Sequence, residues 1–404
     1  MGETKQHGVE RLSIRVGMLV LSVLPLALGI TRRMQGDLPH YVAAVFAWRD
    51  GGALYREVTF EYPPYAFLLF SPAAWAHTVR GGCFILGGLF ALGDLGLKAL
   101  LLREGLRARR TVVPFVLYTL LTWAWQFWYL KRFDVLVAGM LVGALTLLAR
   151  QKPTGAGVLI SLGVLTKLFP ALVLPFALRW ARSRRMLVGL LLGAGPALVL
   201  AVRWPWWSFL RYHAGRGLQV ESAAASVLWA LKRPLKLDVT WVRAQSSYEL
   251  HGALAEEARR VSSVVWVLLT VASILFTMRG SAPTSPAGWA KRLLPALLAF
   301  VAFNPVLSPQ YLVWIASVAC LALCEGTLRG VGWVMLAGVL TAVIYPAESY
   351  HSGLDGLHTA ALVLRNAVLM VAWGAALNTN GPERSLTSPR SRREIARVAE
   401  PPSR

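Results

Sequence analysis

The chain has 404 residues, is 56% hydrophobic and only 15% charged, and holds more hydrocarbon than a soluble domain can bury. Its formal net charge is +22, yet Arg and Lys cluster between apolar runs and in the C-terminal tail, where topology and anionic lipid headgroups account for them without nucleic acid. Cys83, Cys320 and Cys324 all lie in apolar runs, lack metal-ligand spacing or extracellular pairing, and read as packing residues.

Residues 1–13 read as a basic cytoplasmic N-terminus carrying Lys5 and Arg11. The apolar run 14–30 has no small-x-small cleavage site before Thr31, Arg32 and Arg33, so it is expected to stay as an anchor. Residues 31–64 form the first outer loop; within it GDLPHYVAAVFAWRDGGALYREVTFEYPP is polar, aromatic and rich in proline. Asp37 sits at the end of the first span, Tyr41 follows one turn later, and Tyr62, Pro63 and Pro64 close the stretch. An isolated loop acid is usually just solvated, but an acid at a helix end, inside an ordered loop, is a functional candidate.

Further apolar runs occupy 83–102, 112–130, 134–149, 155–166, 170–180, 186–202, 261–278, 292–303, 310–325, 331–345 and 359–377. With the first run they predict an all-α polytopic membrane protein, a bundle of about twelve spans (eleven to thirteen) over residues 14–377. Two runs, 155–166 and 170–180, are short; they read as half-helices meeting at Lys167 or as one helix kinked at Pro170. Treating 64–79 as a surface or re-entrant segment makes the positive-inside bias hold at nearly every turn, including the Arg-rich loop 103–110. Both termini are then cytoplasmic, and the remaining polar clusters fall on the outer face: the Asp37 loop, Lys131, Arg132 and Asp134, Lys167, the long loop 203–259, NPVLSPQY and the loop 345–358. Residues 378–404 are too polar to fold alone and read as a disordered basic cytoplasmic tail.

Several of these clusters have residue types suited to chemistry. Lys167 lies in GVLTKLFPALVLP, where a cation at bilayer depth faces protein or water and pairs with an anion, unless it snorkels from a helix end. In RYHAGRGLQVES, Arg211, His213 and Arg216 suit a phosphate or pyrophosphate headgroup, with lipid-surface anchoring as the plainer account; Glu221 and Ser222 follow as substrate candidates. Trp204, Trp206 and Trp207 read as an interfacial belt. Gln310 and Tyr311 in NPVLSPQY are candidates for sugar contacts, whereas Asn304 and Ser308 equally suit helix capping. Glu348, His351, Asp355 and His358 are spaced too loosely for a metal site, and neither a metal nor another cofactor is expected. The chain has no phosphate-cradling loop, dinucleotide fingerprint, G-x-S-x-G or HExxH, so an enzyme acting outside the membrane would need its activated substrate attached to lipid.

The stretches GDLPHYVAAVFAWRDGGALYREVTFEYPP, LTKLFPALVLP, YHAGRGLQVES and NPVLSPQYLVW, in this order, resemble the GT-C superfamily of membrane glycosyltransferases, and within it glycosyltransferase family 87. The family includes polyprenyl-phosphate-mannose-dependent α-mannosyltransferases. The resemblance implies a GT-C-type bundle whose extracytoplasmic loops form the active-site cavity, in the cell membrane. It implies a polyprenyl-phosphate sugar as donor and a glycolipid, polysaccharide or protein acceptor, with membrane lipids around it and no nucleic-acid partner. Asp37 matches the position of the family's catalytic aspartate, with Lys167, Arg211, His213 and Arg216 toward the donor phosphate and Tyr41, Tyr62, Glu221, Ser222, Gln310 and Tyr311 toward the substrates. Two departures stand out: SPQY replaces a segment that carries histidines in some relatives, and Lys131, Arg132, Phe133 and Asp134 occupy the place where an Asn or Gln often follows the third span. A multi-span transporter or flippase of lipid-linked sugars, or a ligase using lipid pyrophosphate, is the competing reading.

Overall fold

The computed structural model describes residues 13–26, 36–109, 111–181, 183–244, 247–326, 329–345 and 353–379. Every apolar run of the sequence is mostly helical over its described part, although 112–130 leaves the helix at Trp125 for a turn and a 3₁₀ segment. The helices are α1 (Ser13–Leu26), α2 (Leu38–Arg49), α3 (Pro64–Phe70), α4 (Val79–Arg109), α5 (Val113–Ala124), α6 (Asp134–Ala149), α7 (Pro153–Thr166) and α8 (Leu174–Trp180). They continue with α9 (Arg184–Arg203), α10 (Phe209–Ala214), α11 (Ala223–Leu231), α12 (Ala253–Thr277), α13 (Pro286–Ala302), α14 (Tyr311–Leu323), α15 (Arg329–Ile344) and α16 (Gly356–Asn378). Four of them, α4, α9, α12 and α16, are long and apolar enough to cross a membrane by themselves; the others are shorter, so the expected count of twelve is not established by helix length.

The centre of the bundle is α14, whose side chains from Leu312 to Leu323 are all buried. It packs on α13, α6, α15, α5 and α4. A helix apolar all round has no solvent face to present, and this one is enclosed by neighbours instead. At the opposite extreme, α9 and α12 turn rows of Leu and Val outward, among them Leu191, Leu192, Val199, Val264 and Leu268. Large exposed aliphatic side chains on long helices are what a hydrocarbon surround calls for.

Two details differ from the sequence reading, and two others follow it. The Arg-rich stretch 103–109 is no loop; it is the last two turns of α4, a 31-residue helix of about 46 Å that overshoots a hydrocarbon layer of about 30 Å. The loop 203–259 is not all helical, because it holds a small antiparallel sheet of β1 (Leu218–Gln219), β2 (Thr240–Ala244) and β3 (Ser247–His251) in the order β1-β3-β2. The run 64–79 is only α3 followed by a 3₁₀ turn, Ser71–Trp75, and at about 1.5 Å per residue α3 is far too short to span. Between α7 and α8 the chain does break at Lys167, whose backbone is extended, before a 3₁₀ turn over Phe169–Val173. Pro170 explains the break, since a proline disfavours helix in the residue before it and cannot continue the ladder.

Candidate active site

Asp37 occupies the N-cap position of α2, where an aspartate ordinarily accepts a hydrogen bond from the first turn. Here the side chain makes no capping bond. Gly36 precedes it with φ +101°, a left-handed backbone that places the chain for this turn. The carboxylate instead faces Arg132, whose Nε is 3.3 Å from Oδ2, and the same oxygen lies 3.4 Å from the Tyr41 hydroxyl.

Arg132 is the hub of this end of the bundle. It lies just after a 3₁₀ turn, Tyr129–Lys131, on extended backbone. Its Nη1 donates to the Ser308 hydroxyl at 3.1 Å, and Ser308 in turn donates to Gln310 Oε1 at 2.6 Å. Burial works against the charge on Arg132, but Asp37, with Tyr345, Tyr41 and Asp134, outweighs it and raises the guanidinium pKa. Arg132 is therefore a permanent cation.

A second ion pair lies beside the first. Lys167, released from α7 by the break at Pro170, reaches Asp134 Oδ1 at 2.8 Å, and that oxygen also accepts from the Trp314 indole at 2.7 Å. The anion that a buried lysine needs is thus the first residue of α6. The ammonium sits 4.8 Å from the ring centre of Phe133, 5.2 Å from Trp314, 5.6 Å from Tyr62 and 5.9 Å from Tyr311, near enough for cation–π attraction. Rings fix the surroundings: Tyr41 stacks on Phe70 with centroids 4.3 Å apart, Phe133 meets Tyr62 edge-on at 4.9 Å, and Tyr311 stacks on Trp314 at 4.1 Å.

The long loop closes over the same place. His213 has Nε2 2.9 Å from the Glu61 carbonyl. Its pKa is lowered, first by burial and then by Arg216, with a smaller push from Lys167. The shift favours the neutral imidazole, which can still offer a hydrogen bond. Arg216 stands close enough to act on both His213 and Tyr311, and its buried Nε has no hydrogen-bond partner among the described residues. The peptide N–H of Gly217, next to it, donates to Glu249 Oε2 at 3.1 Å, tying the arginine to β3.

The sequence candidates therefore divide. Asp37, Tyr41, Tyr62, Lys167, His213, Arg216, Gln310 and Tyr311 converge with Arg132 and Asp134. Arg211 is exposed on α10. Glu221 lies behind the cluster: buried, it accepts from Arg365 Nη1 at 2.8 Å and from the Tyr345 hydroxyl at 2.5 Å. Ser222 caps α11, taking the Ala225 N–H at 3.3 Å. Asn304 does not cap α14; its Oδ1 takes the Val306 N–H in a local turn. Asp355 caps α16 and bonds His358, while Glu348 and His351 lie outside the described residues. Arg132 and Asp134 stood in the sequence as part of one polar cluster without a role, and four contiguous residues KRFD carried no sign of where their partners were.

No curated protein matches the chain. Residues 60–259 match the family model of glycosyltransferase family 87, a stretch that runs from Phe60, just before α3, through Arg132, Asp134, Lys167, His213 and Arg216 to the beginning of α12. Asp37 lies before this stretch, joined to it in space by Arg132. The many apolar helices and this match agree with the resemblance read from the sequence: the chain is a membrane protein similar to glycosyltransferase family 87 over residues 60–259.

Proposed function

We propose that the chain transfers a hexosyl group, mannosyl in the first instance, from a polyprenyl-phosphate donor to an acceptor hydroxyl of an envelope glycolipid, polysaccharide or protein, on the outer face of the cell membrane. The observation that supports this most directly is a carboxylate spared from helix capping, Asp37, within 3.3 Å of a permanently charged guanidinium and in one cluster with Lys167 and Arg216. With one oxygen of Asp37 held by Arg132 and Tyr41, the other receives the proton of the acceptor hydroxyl. The acceptor oxygen bonds to the anomeric carbon as the bond from that carbon to the phosphate oxygen breaks, with inversion. Polyprenyl phosphate leaves carrying an additional negative charge, which Arg216, Arg132 and Lys167 stabilise; His213 contributes a hydrogen bond, and Arg211 reaches the headgroup from the surface. Preorganised cations in a site poor in water do this strongly. Tyr41, Tyr62, Gln310 and Tyr311 line the sugar and acceptor side; Glu221 and Ser222 act through the loop they hold. The chemistry calls for no metal or other cofactor.

Purified protein incubated with radiolabelled polyprenyl-phosphate mannose and cell-envelope lipids yields a labelled product under this reading; no product with mannose, and none with other hexosyl donors, removes it. The place of Arg216 is tested separately. Arg216→Ala removes the guanidinium whose buried Nε has no hydrogen-bond partner among the described residues. Its expected cost is about one charge-assisted hydrogen bond, roughly a tenfold loss of polyprenyl-phosphate affinity, with the melting temperature little changed. Titration of the variant with polyprenyl phosphate reads it, and wild-type affinity contradicts a phosphate role for Arg216.

A further inference from the structure

Two opposite charges lie in the middle of α4 that the chemistry above does not use. Asp94 and Lys98, one helical turn apart, pair at 2.7 Å with both side chains 0% exposed. A buried pair of this kind is no more stabilising than two well-packed apolar residues, so its use lies in what else it holds. Asp94 Oδ1 accepts from the Tyr129 hydroxyl at 2.7 Å, and that hydroxyl is 2.9 Å from the Tyr118 hydroxyl on α5. Lys98 Nζ donates to the Ser22 carbonyl of α1 at 3.0 Å, and the same carbonyl accepts from the Trp123 indole at 2.8 Å. Four elements meet at this point: α1, α4, α5 and the 3₁₀ turn Tyr129–Lys131.

That turn leads directly to Arg132 and, past Phe133, to Asp134 at the start of α6. It is three residues long, too short for its own hydrogen bonds to fix its place. What fixes it at its start is the buried Tyr129, 1% exposed, hooked to Asp94. We propose that the Asp94–Lys98 pair is a positioning device: through the Tyr129 hydroxyl it sets where Arg132 and Asp134 stand, and so the reach of Arg132 to Asp37 and of Asp134 to Lys167. Lys98 neutralises Asp94, which lets the carboxylate remain a strong acceptor inside the bundle, and its second bond carries the same restraint to α1. The catalytic part of this inference rests on the proposed function; the structural part does not.

Tyr129→Phe removes a single oxygen. Its expected effect is faster amide exchange in the 129–134 segment, with exchange in α13 and α14 unchanged, because the segment loses its hook while the core keeps its packing. Turnover is expected to fall about tenfold, the worth of one hydrogen bond to a charged group, with KM for the donor lipid unchanged. If Tyr129 acts through Arg132, a Tyr129→Phe/Arg132→Lys double variant loses no more than Arg132→Lys alone. Tyr118→Phe, which leaves the Tyr129–Asp94 bond in place, is expected to keep wild-type exchange and turnover. Unchanged exchange in Tyr129→Phe, losses that multiply in the double variant, or an equal loss in Tyr118→Phe each overturn the positioning role. Faster exchange in Tyr129→Phe, in a protein that transfers no polyprenyl-phosphate hexose at all, overturns the proposed reaction and leaves the positioning role standing.

Discussion

Asp37→Asn leaves the protein folded and able to bind its donor but lowers turnover by about a hundred- to ten-thousandfold, the range over which a positioned general base contributes. The substitution keeps the shape of the side chain and an oxygen for Arg132 to donate to, and it removes only the capacity to take up a proton. The ion pair it weakens is part exposed, with side chains 17% and 29% accessible, so solvent screening makes its stability cost small. A loss confined to turnover is therefore separable from misfolding: initial rates with saturating donor fall, while donor affinity and the thermal midpoint in detergent hold. Normal turnover in Asp37→Asn removes the base from Asp37 whatever the fate of the phosphate assignments.

Arg365→Met is expected to act on stability instead, and by a large amount. Arg365 on α16 is fully buried and places Nη1 on Glu221 Oε2 at 2.8 Å and Nη2 on the Glu221 carbonyl at 2.8 Å, while its neighbour Asn366 donates to that carbonyl and to Ser226. Removing the guanidinium strands a carboxylate that is 1% exposed; breaking a buried pair on one side costs about 3–5 kcal/mol. Melting in detergent micelles should drop markedly in Arg365→Met and recover in large part in Arg365→Met/Glu221→Gln, where no charge is left unpaired. If the single variant melts with the wild type, the pair does not tie the long loop to α16. Glu221 also accepts from Tyr345, which lies within electrostatic reach of Arg132, so the same variant should impair transfer by loosening the wall behind the site.

Much of this arrangement was legible in the chain because hydrocarbon periodicity and helix breakers are local signals. The apolar runs became helices, and LTKLFP announced the break that frees Lys167. The aspartate in GDLPHY was expected at the end of the first span; it stands at the start of α2, as an N-cap residue without a capping bond. What stayed hidden depends on partners far apart in sequence. Nothing in KRFD told that Arg132 would turn to Asp37 while Asp134 turned to Lys167. The sheet in the long loop escaped because strands of two and five residues carry almost no periodicity. The buried Asp94–Lys98 pair did leave a sign, opposite charges spaced i, i+4 inside an apolar run, and that spacing is the feature to look for in related chains.

The ring faces of Phe133, Trp314, Tyr62 and Tyr311 about the Lys167 ammonium have one more implication. Flat aromatic walls attract the cation but give a water molecule little to bond to, so under the proposed reaction solvent has few routes to the linkage between sugar and phosphate. Wasteful hydrolysis would then be slow beside productive transfer, and opening one wall, as in Tyr62→Ala, would be the way to turn a transferase into a leaky phosphodiesterase.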